Sequence, residues 1–347
     1  MSTVRPITLL TGFLGAGKTT LVNQLLADPG HAQTAVIVNE LSETGIDRSL
    51  IAAVKGQVIE MTTGCLCCSA GGDITHALLD LAKRAEHYEI TPFARVVIET
   101  TGLADPTPLL PQLMLDARLV AHYRLTSIIT VVDSVQGDTH LDRYGEAEAQ
   151  VKVADTVLLT KSDLATDPVS KRDVEKLVGR LAALNPSATI ADVHDPAIDL
   201  PGIFARQPLS PRAAGAQGWL GARALPLEVG GAGTRRVRSN HTEGVRAFAF
   251  ALPDRLSEKV IVTAVGALLR TASPRILRIK GLIETRETPD QPLVVHAVGR
   301  YLSAPVRLAQ WPEGGRRSAL VVIGQQLGRD EIREKLGLPS LVAEVAA

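Results

Sequence analysis

A chain of 347 residues is long enough for one large domain and one smaller one, each with its own core. Lys plus Arg and Asp plus Glu both number 37 and aromatics are 3% of residues, so neither a global field nor a set of stacking platforms draws the chain to nucleic acid or anionic lipid. No run approaches the roughly 18 apolar residues that span a bilayer, the N-terminal apolar run is too short for a signal peptide, and the three cysteines cluster at Cys65, Cys67 and Cys68, so a cytoplasmic, reducing compartment is expected.

The first two hundred residues alternate short apolar runs with amphipathic stretches, which predicts a mostly parallel sheet with flanking helices. A first strand, Ile7 to Thr11, leads into Gly12-Phe13-Leu14-Gly15-Ala16-Gly17-Lys18-Thr19-Thr20, then Leu21, Leu25 and Leu26 at helical spacing. This satisfies G-x-x-x-x-G-K-[ST] between a strand and a helix, the signature of an α/β P-loop NTPase. Glycines let the backbone wrap phosphates so that N–H groups and the helix N-terminus face the negative charge. Lys18 is expected to reach the β- and γ-phosphates and Thr19 to ligate Mg²⁺. The bland alternative is a chance glycine-rich turn, which the flanking strand and helix speak against.

A second strand, Ala35 to Asn39, runs into Glu40-Leu41-Ser42-Glu43-Thr44-Gly45-Ile46-Asp47. A nucleotide-dependent switch loop belongs here, with Glu40 or Asp47 orienting the attacking water; a polar surface loop fits equally well. After a third strand, Val58 to Met61, comes Gly64-Cys65-Leu66-Cys67-Cys68, followed by a helical stretch from Ile74 to Lys83. Cys65 and Cys67 can converge on one ion, with Cys68 joining or facing away, and thiolates prefer Zn²⁺, Cu(I) or Fe. Three sulfurs leave a tetrahedral site one ligand short, with His76 and Glu43 as candidates for the fourth. The competing readings are inert buried thiols or a redox pair.

A fourth strand, Arg95 to Glu99, ends in Glu99-Thr100-Thr101-Gly102. A strand-ending acid beside a P-loop is placed to hold Mg²⁺, directly or through water. Gly102, with no Cβ in the way, can bring its N–H to a γ-phosphate. Strands at Ser127 to Asp133 and Thr156 to Thr160 follow, the latter opening Thr160-Lys161-Ser162-Asp163, a variant of N-K-x-D. Asp163 can accept from guanine N1 and N2, while the Lys161 stem packs on the base plane. Thr160 in place of Asn removes one amide.

Residues 200–240 are rich in Pro, Gly, Ala and Arg without a sustained period and read as a linker or insertion. Beyond them a strand (Val245 to Ala251), a helix (Leu256 to Thr271), strands around Ile276 to Thr285, Leu293 to Val298 and Ser318 to Ile323, and a last helix from Arg329 predict a small α+β domain. The expected organisation is a P-loop domain over 1–200, a linker over 201–241 and a C-terminal domain over 242–340.

In this order, Gly12 to Thr20, Asn39-Glu40 with Gly45-Ile46-Asp47, Gly64 to Cys68, Glu99 to Gly102 and Thr160 to Asp163 resemble the CobW-like metallochaperone GTPases. The looser matches Arg278-Ile279-Lys280-Gly281, His296 to Gly299 and Ile323-Gly324 look like that family's carboxyl-terminal domain; the bland reading of Arg278 and Lys280 is a solvated strand face, and of His296 a packed core histidine. The resemblance implies a GTPase that loads Zn²⁺, Co²⁺ or Fe²⁺ on the C-x-C-C thiolates with Mg-GTP bound and releases it to a client metalloprotein on hydrolysis. The family name does not choose among the metals; zinc is the first expectation, and a homodimer is a further one. The sequence departs from many members in lacking a His-rich stretch between domains. Two other classes stay open: a P-loop small-molecule kinase, which would leave Thr160 to Asp163 without a purpose, and a nucleotide-binding thiol redox sensor.

Overall fold

Seven short segments pair side by side in the N-terminal part of the chain, and the interior ones, rich in Val, Ile and Leu, are buried in the way a parallel sheet covered by helices demands. The computed structural model describes residues 4–38, 57–60, 72–205, 245–253, 256–312, 316 and 318–338. Within them the chain runs β1 (Arg5–Gly12), α1 (Lys18–Ala27), β2 (Thr34–Val38), β3 (Gln57–Glu60), α2 (Gly72–Glu86), β4 (Arg95–Glu99), α3 (Leu110–Leu115), α4 (Ala117–Val120), β5 (Tyr123–Asp133), α5 (Gly137–Arg143), α6 (Gly145–Val153), β6 (Thr156–Thr160), α7 (Pro168–Leu184), β7 (Thr189–Asp192) and α8 (Leu200–Ala205).

The sheet order is β3-β2-β4-β1-β5-β6-β7, parallel throughout. β1 is central, flanked by β4 and β5, so the phosphate-binding candidate Gly12 to Thr20 and the acid Glu99 leave one edge of the sheet on neighbouring strands. Leu21, Val22, Leu25 and Leu26 of α1 bury against Leu10, Val36, Val97, Ile129 and Leu158 of the sheet. Ile203 and Phe204 of α8 join the same cluster. Residues 200–205 are therefore a helix packed in the first core, where composition alone suggested the start of a linker.

β7 was not evident in the sequence. It is the edge strand, its residues half-buried or exposed, and four residues of mixed polarity carry no strand signal. β5 begins four residues before its apolar run, because Tyr123 to Leu125 pair with Arg5 to Ile7 while Arg124 points out to solvent.

The chain divides into two units, one of Met1–Leu181 with Ala188–Gln207, the other of Ala182–Ser187 with Pro208–Ala347. The second holds β8 (Val245–Ala251), α9 (Glu258–Ala272), β9 (Ile276–Ile283), β10 (Leu293–Val298), β11 (Tyr301–Leu302), β12 (Val306–Arg307), β13 (Ala319–Gln325) and α10 (Arg329–Leu336). Its antiparallel sheet runs β11-β10-β9-β13-β8, with β12 on β10. Ser257 caps α9 by accepting from the Val260 N–H, and apolar residues of α9 and α10 pack with one sheet face. On β9, Arg278 and Lys280 are buried rather than solvated, and Arg278 Nη2 lies 3.0 Å from His296 Nε2. His296 itself is only half-buried.

Candidate nucleotide-binding site

The loop after β1 depends on its glycines. Gly15 and Gly17 have φ of 71° and 94°, in the left-handed region that side chains disfavour. At Gly12 a Cβ would lie 2.3 Å from the Val131 carbonyl oxygen. Gly17 caps α1, so the first N–H groups of that helix open into a cleft of about 710 Å³ lined by Leu14, Gly15, Gly17 to Thr20, Val38 and Glu99 to Gly102. Lys18 is nearly buried, its Nζ donating to the Gly12 carbonyl at 2.8 Å and the Phe13 carbonyl at 3.2 Å. Phe13 packs against the rings of His140 and Tyr144, each centroid 4.5 Å away, which ties the loop to α5 and its junction with α6.

Thr19 Oγ1 donates to Glu99 Oε1 at 2.8 Å. A hydroxyl and a buried carboxylate thus converge on the cleft from the start of α1 and the end of β4. Hard oxygen donors of this kind suit Mg²⁺. After Glu99 the chain turns back onto the loop. Thr100 N–H donates to the Leu10 carbonyl and its hydroxyl to Thr11 Oγ1, both at 2.9 Å. Gly102 sits so close that a Cβ would lie 2.5 Å from the Leu14 nitrogen, and only glycine fits.

The other end of the site is the turn after β6. Thr160 Oγ1 donates to the Ala16 carbonyl at 2.8 Å, fastening this turn to the phosphate loop. Lys161 has φ 59° and donates from Nζ to Asp133 Oδ2 at 2.6 Å. Burial opposes charge on Asp133, yet Lys161 and the N–H groups of Gln136 and Val135 hold its carboxyl below the ordinary value. Asp163 is half exposed and lies 3.0 Å from His194 Nε2. Asp192, ending β7, accepts from Ser162 Oγ at 2.6 Å and from the His194 N–H at 2.9 Å, so the loop after β7 is pinned to Thr160–Asp163.

The structure therefore brings together Gly12, Gly15, Ala16, Gly17, Lys18, Thr19, Thr20, Glu99 and Gly102 at one mouth and Thr160, Lys161 and Asp163 beside it. Glu40, Cys65, Cys67 and Cys68, with the alternative ligand Glu43, lie outside the described residues. His76 is exposed on α2. Among the described residues no group of three or more His, Cys, Asp or Glu side chains is arranged to hold a metal ion, and no helix is long and apolar enough to cross a membrane.

Sequence reasoning passed over Asp133, His194 and Asp192. Asp133 had a signal, an acid ending an apolar strand like Glu99; the others are placed by tertiary contacts alone.

Residues 6–192 match the CobW/HypB/UreG nucleotide-binding domain, and residues 245–337 match the C-terminal domain of the cobalamin synthesis protein CobW. The chain is 32% identical over 330 residues to the zinc chaperone YjiA of Escherichia coli, covering 94% of this chain and 96% of that one. It is 28% identical over 366 residues to the zinc chaperone CobW of Pseudomonas aeruginosa, covering 95% and 90%. The crystal structure of the Zn(II)-bound YjiA GTPase from E. coli superposes with a TM-score of 0.64 at 28% identity, covering 97% of this chain and 99% of that one. With the phosphate loop, the strand-ending acid and both domain matches in place, the chain belongs to the CobW/HypB/UreG family and is a P-loop GTPase.

Proposed function

We propose that this GTPase is a metallochaperone that takes a transition metal, zinc first, on Cys65, Cys67 and Cys68 and hands it to a client metalloprotein in the cytoplasm. The observation that carries the reading is positional. β3 ends at Glu60 on the sheet edge where β4 ends at Glu99, both in register with Val38, and Cys65 follows Glu60 by five residues. The names of the two full-length relatives, both zinc chaperones, support zinc over cobalt or iron.

In this reading the β- and γ-phosphates of GTP lie on the N–H groups of Gly15 to Thr20, and Lys18 exchanges the Gly12 and Phe13 carbonyls for phosphate oxygens. Thr19 and Glu99 hold Mg²⁺, which when bound neutralises charge on the phosphates. Gly102 offers its N–H to the γ-phosphate and Glu40 orients the attacking water. Asp163 accepts from guanine N1 and N2, and adenine, lacking those donors, leaves those two hydrogen bonds unmade. Loss of the γ-phosphate then releases the loops that hold the metal.

The test is a titration of Zn²⁺, Co²⁺ and Fe²⁺ into reduced, metal-free protein, with and without a slowly hydrolysed Mg-GTP analogue. Wild type is compared with the triple Cys65→Ser, Cys67→Ser, Cys68→Ser variant. The analogue is expected to tighten one metal several-fold in wild type only. Weak metal binding that ignores both nucleotide and cysteines would leave a GTPase without a delivery role.

A further inference from the structure

α6 carries one fully buried polar side chain that none of the GTPase chemistry above uses. Gln150, 1% exposed, sends Nε2 to two main-chain carbonyls of the loop after Glu99: Gly102 at 3.1 Å and Ala104 at 2.9 Å. One amide nitrogen carries two N–H donors, so a single side chain satisfies both oxygens. The Gln150 main-chain carbonyl in turn accepts from Thr130 Oγ1 at 2.7 Å, which fixes this point of α6 to β5.

We propose that Gln150 is a positioning residue for GTP hydrolysis, holding Gly102 against the phosphate loop before the γ-phosphate arrives. The inference rests on the reading that Gly102 faces that phosphate. Three contacts define where the loop can go. On the strand side, Thr100 is bonded to Leu10 and Thr11. On the cleft side, Gly102 lies against the Leu14 backbone with no room for a Cβ. On the far side, the turn closed by Ala104 N–H on the Thr101 carbonyl has its outer carbonyls held by Gln150. The Gly102 N–H belongs to the peptide before it, whose Thr101 carbonyl is held by the Ala104 N–H; without Gln150 the carbonyls of Gly102 and Ala104 lose their donor, and the turn that sets the direction of that N–H is held from one side only. An N–H that must meet a developing charge contributes most when it does not reorganise during the reaction. GDP lacks the γ-phosphate and makes no use of Gly102, so the clasp bears on hydrolysis and on discrimination of GTP from GDP, not on nucleotide binding in general.

Two variants of the full chain test this. Gln150→Met keeps the volume and removes both donors; Gln150→Glu keeps the shape and sets a carboxylate against two carbonyl oxygens. Single-turnover GTP hydrolysis, GTP and GDP affinities and thermal unfolding are measured for each, with Gly102→Ala alongside. Gln150→Met is expected to lower the hydrolysis rate about tenfold or more and to narrow the GTP-over-GDP preference, with GDP affinity within about twofold of wild type; Gln150→Glu is expected to lose more. GDP affinity reports folding, so a variant that loses it in proportion to hydrolysis assigns Gln150 a purely structural role and overturns the proposal. Wild-type hydrolysis in Gln150→Met with an inactive Gly102→Ala overturns the clasp alone. Wild-type hydrolysis in Gly102→Ala overturns the reading beneath it.

Discussion

Thr160 ends β6 with its hydroxyl on the Ala16 carbonyl at 2.8 Å, and Gly17 packs beside the same side chain. In the N-K-x-D pattern this position holds an amide, and by residue type alone Thr looks like a loss. Its buried hydroxyl makes the bond that joins the Thr160–Asp163 turn to the phosphate loop. Thr160→Val, nearly isosteric, removes that donor and leaves the carbonyl buried with one partner fewer. The expected cost is about 1–2 kcal/mol, roughly 5- to 30-fold in GTP affinity, with ATP no better bound; fluorescence titration measures it, and unchanged affinity would make the contact incidental. The residues proposed to act directly on nucleotide, Lys18, Thr19, Glu99 and Asp163, were legible because a few backbone geometries require those residue types at those spacings. His194, 3.0 Å from Asp163, was not, since it comes from the loop after a strand with no sequence signal and meets Asp163 only after the sheet forms.

At the scale of elements, the interior strands announced themselves through nearly unbroken runs of Val, Ile and Leu, and their ends then located the chemistry. The edge strand β7 and helix α8 did not, because half-buried positions and a six-residue helix impose no period on the sequence. One short element carries a pH dependence. His31 lies in the single turn Pro29–His31 that follows α1, 4% exposed and 3.8 Å from Asp28. Burial, and then Arg95, push its pKa below 6.5, although Asp28 pulls the other way. Because the folded value is depressed, the unfolded chain binds the proton more readily. This contribution is therefore whole above about pH 6.5 and is lost as pH falls through that value toward the folded pKa. Denaturant unfolding from pH 8 down to about 5 is expected to show wild type losing more stability than His31→Leu. Parallel curves for the two would remove His31 from the acid sensitivity of the fold.

For the whole molecule the decisive property is thermodynamic coupling. If Mg-GTP tightens metal binding by some factor, equilibrium linkage requires the metal to tighten GTP by the same factor, whatever loops carry the effect. Couplings of this kind run about 1–3 kcal/mol, roughly 5- to 150-fold. Reciprocity also guards against an artefact that metal titrations invite, because Zn²⁺ binds the phosphates of free GTP and can look like a nucleotide-dependent site. That artefact is indifferent to cysteine. The discriminating measurement is the affinity of the slowly hydrolysed GTP analogue at fixed Mg²⁺, with and without saturating Zn²⁺, in wild type and Cys67→Ser. The proposed function requires the two coupling factors to agree in wild type and both to fall toward one in Cys67→Ser. A coupling that survives in the variant at full size would place the metal on the nucleotide or elsewhere on the chain, and the GTPase would then have to act on something other than a thiolate-bound metal.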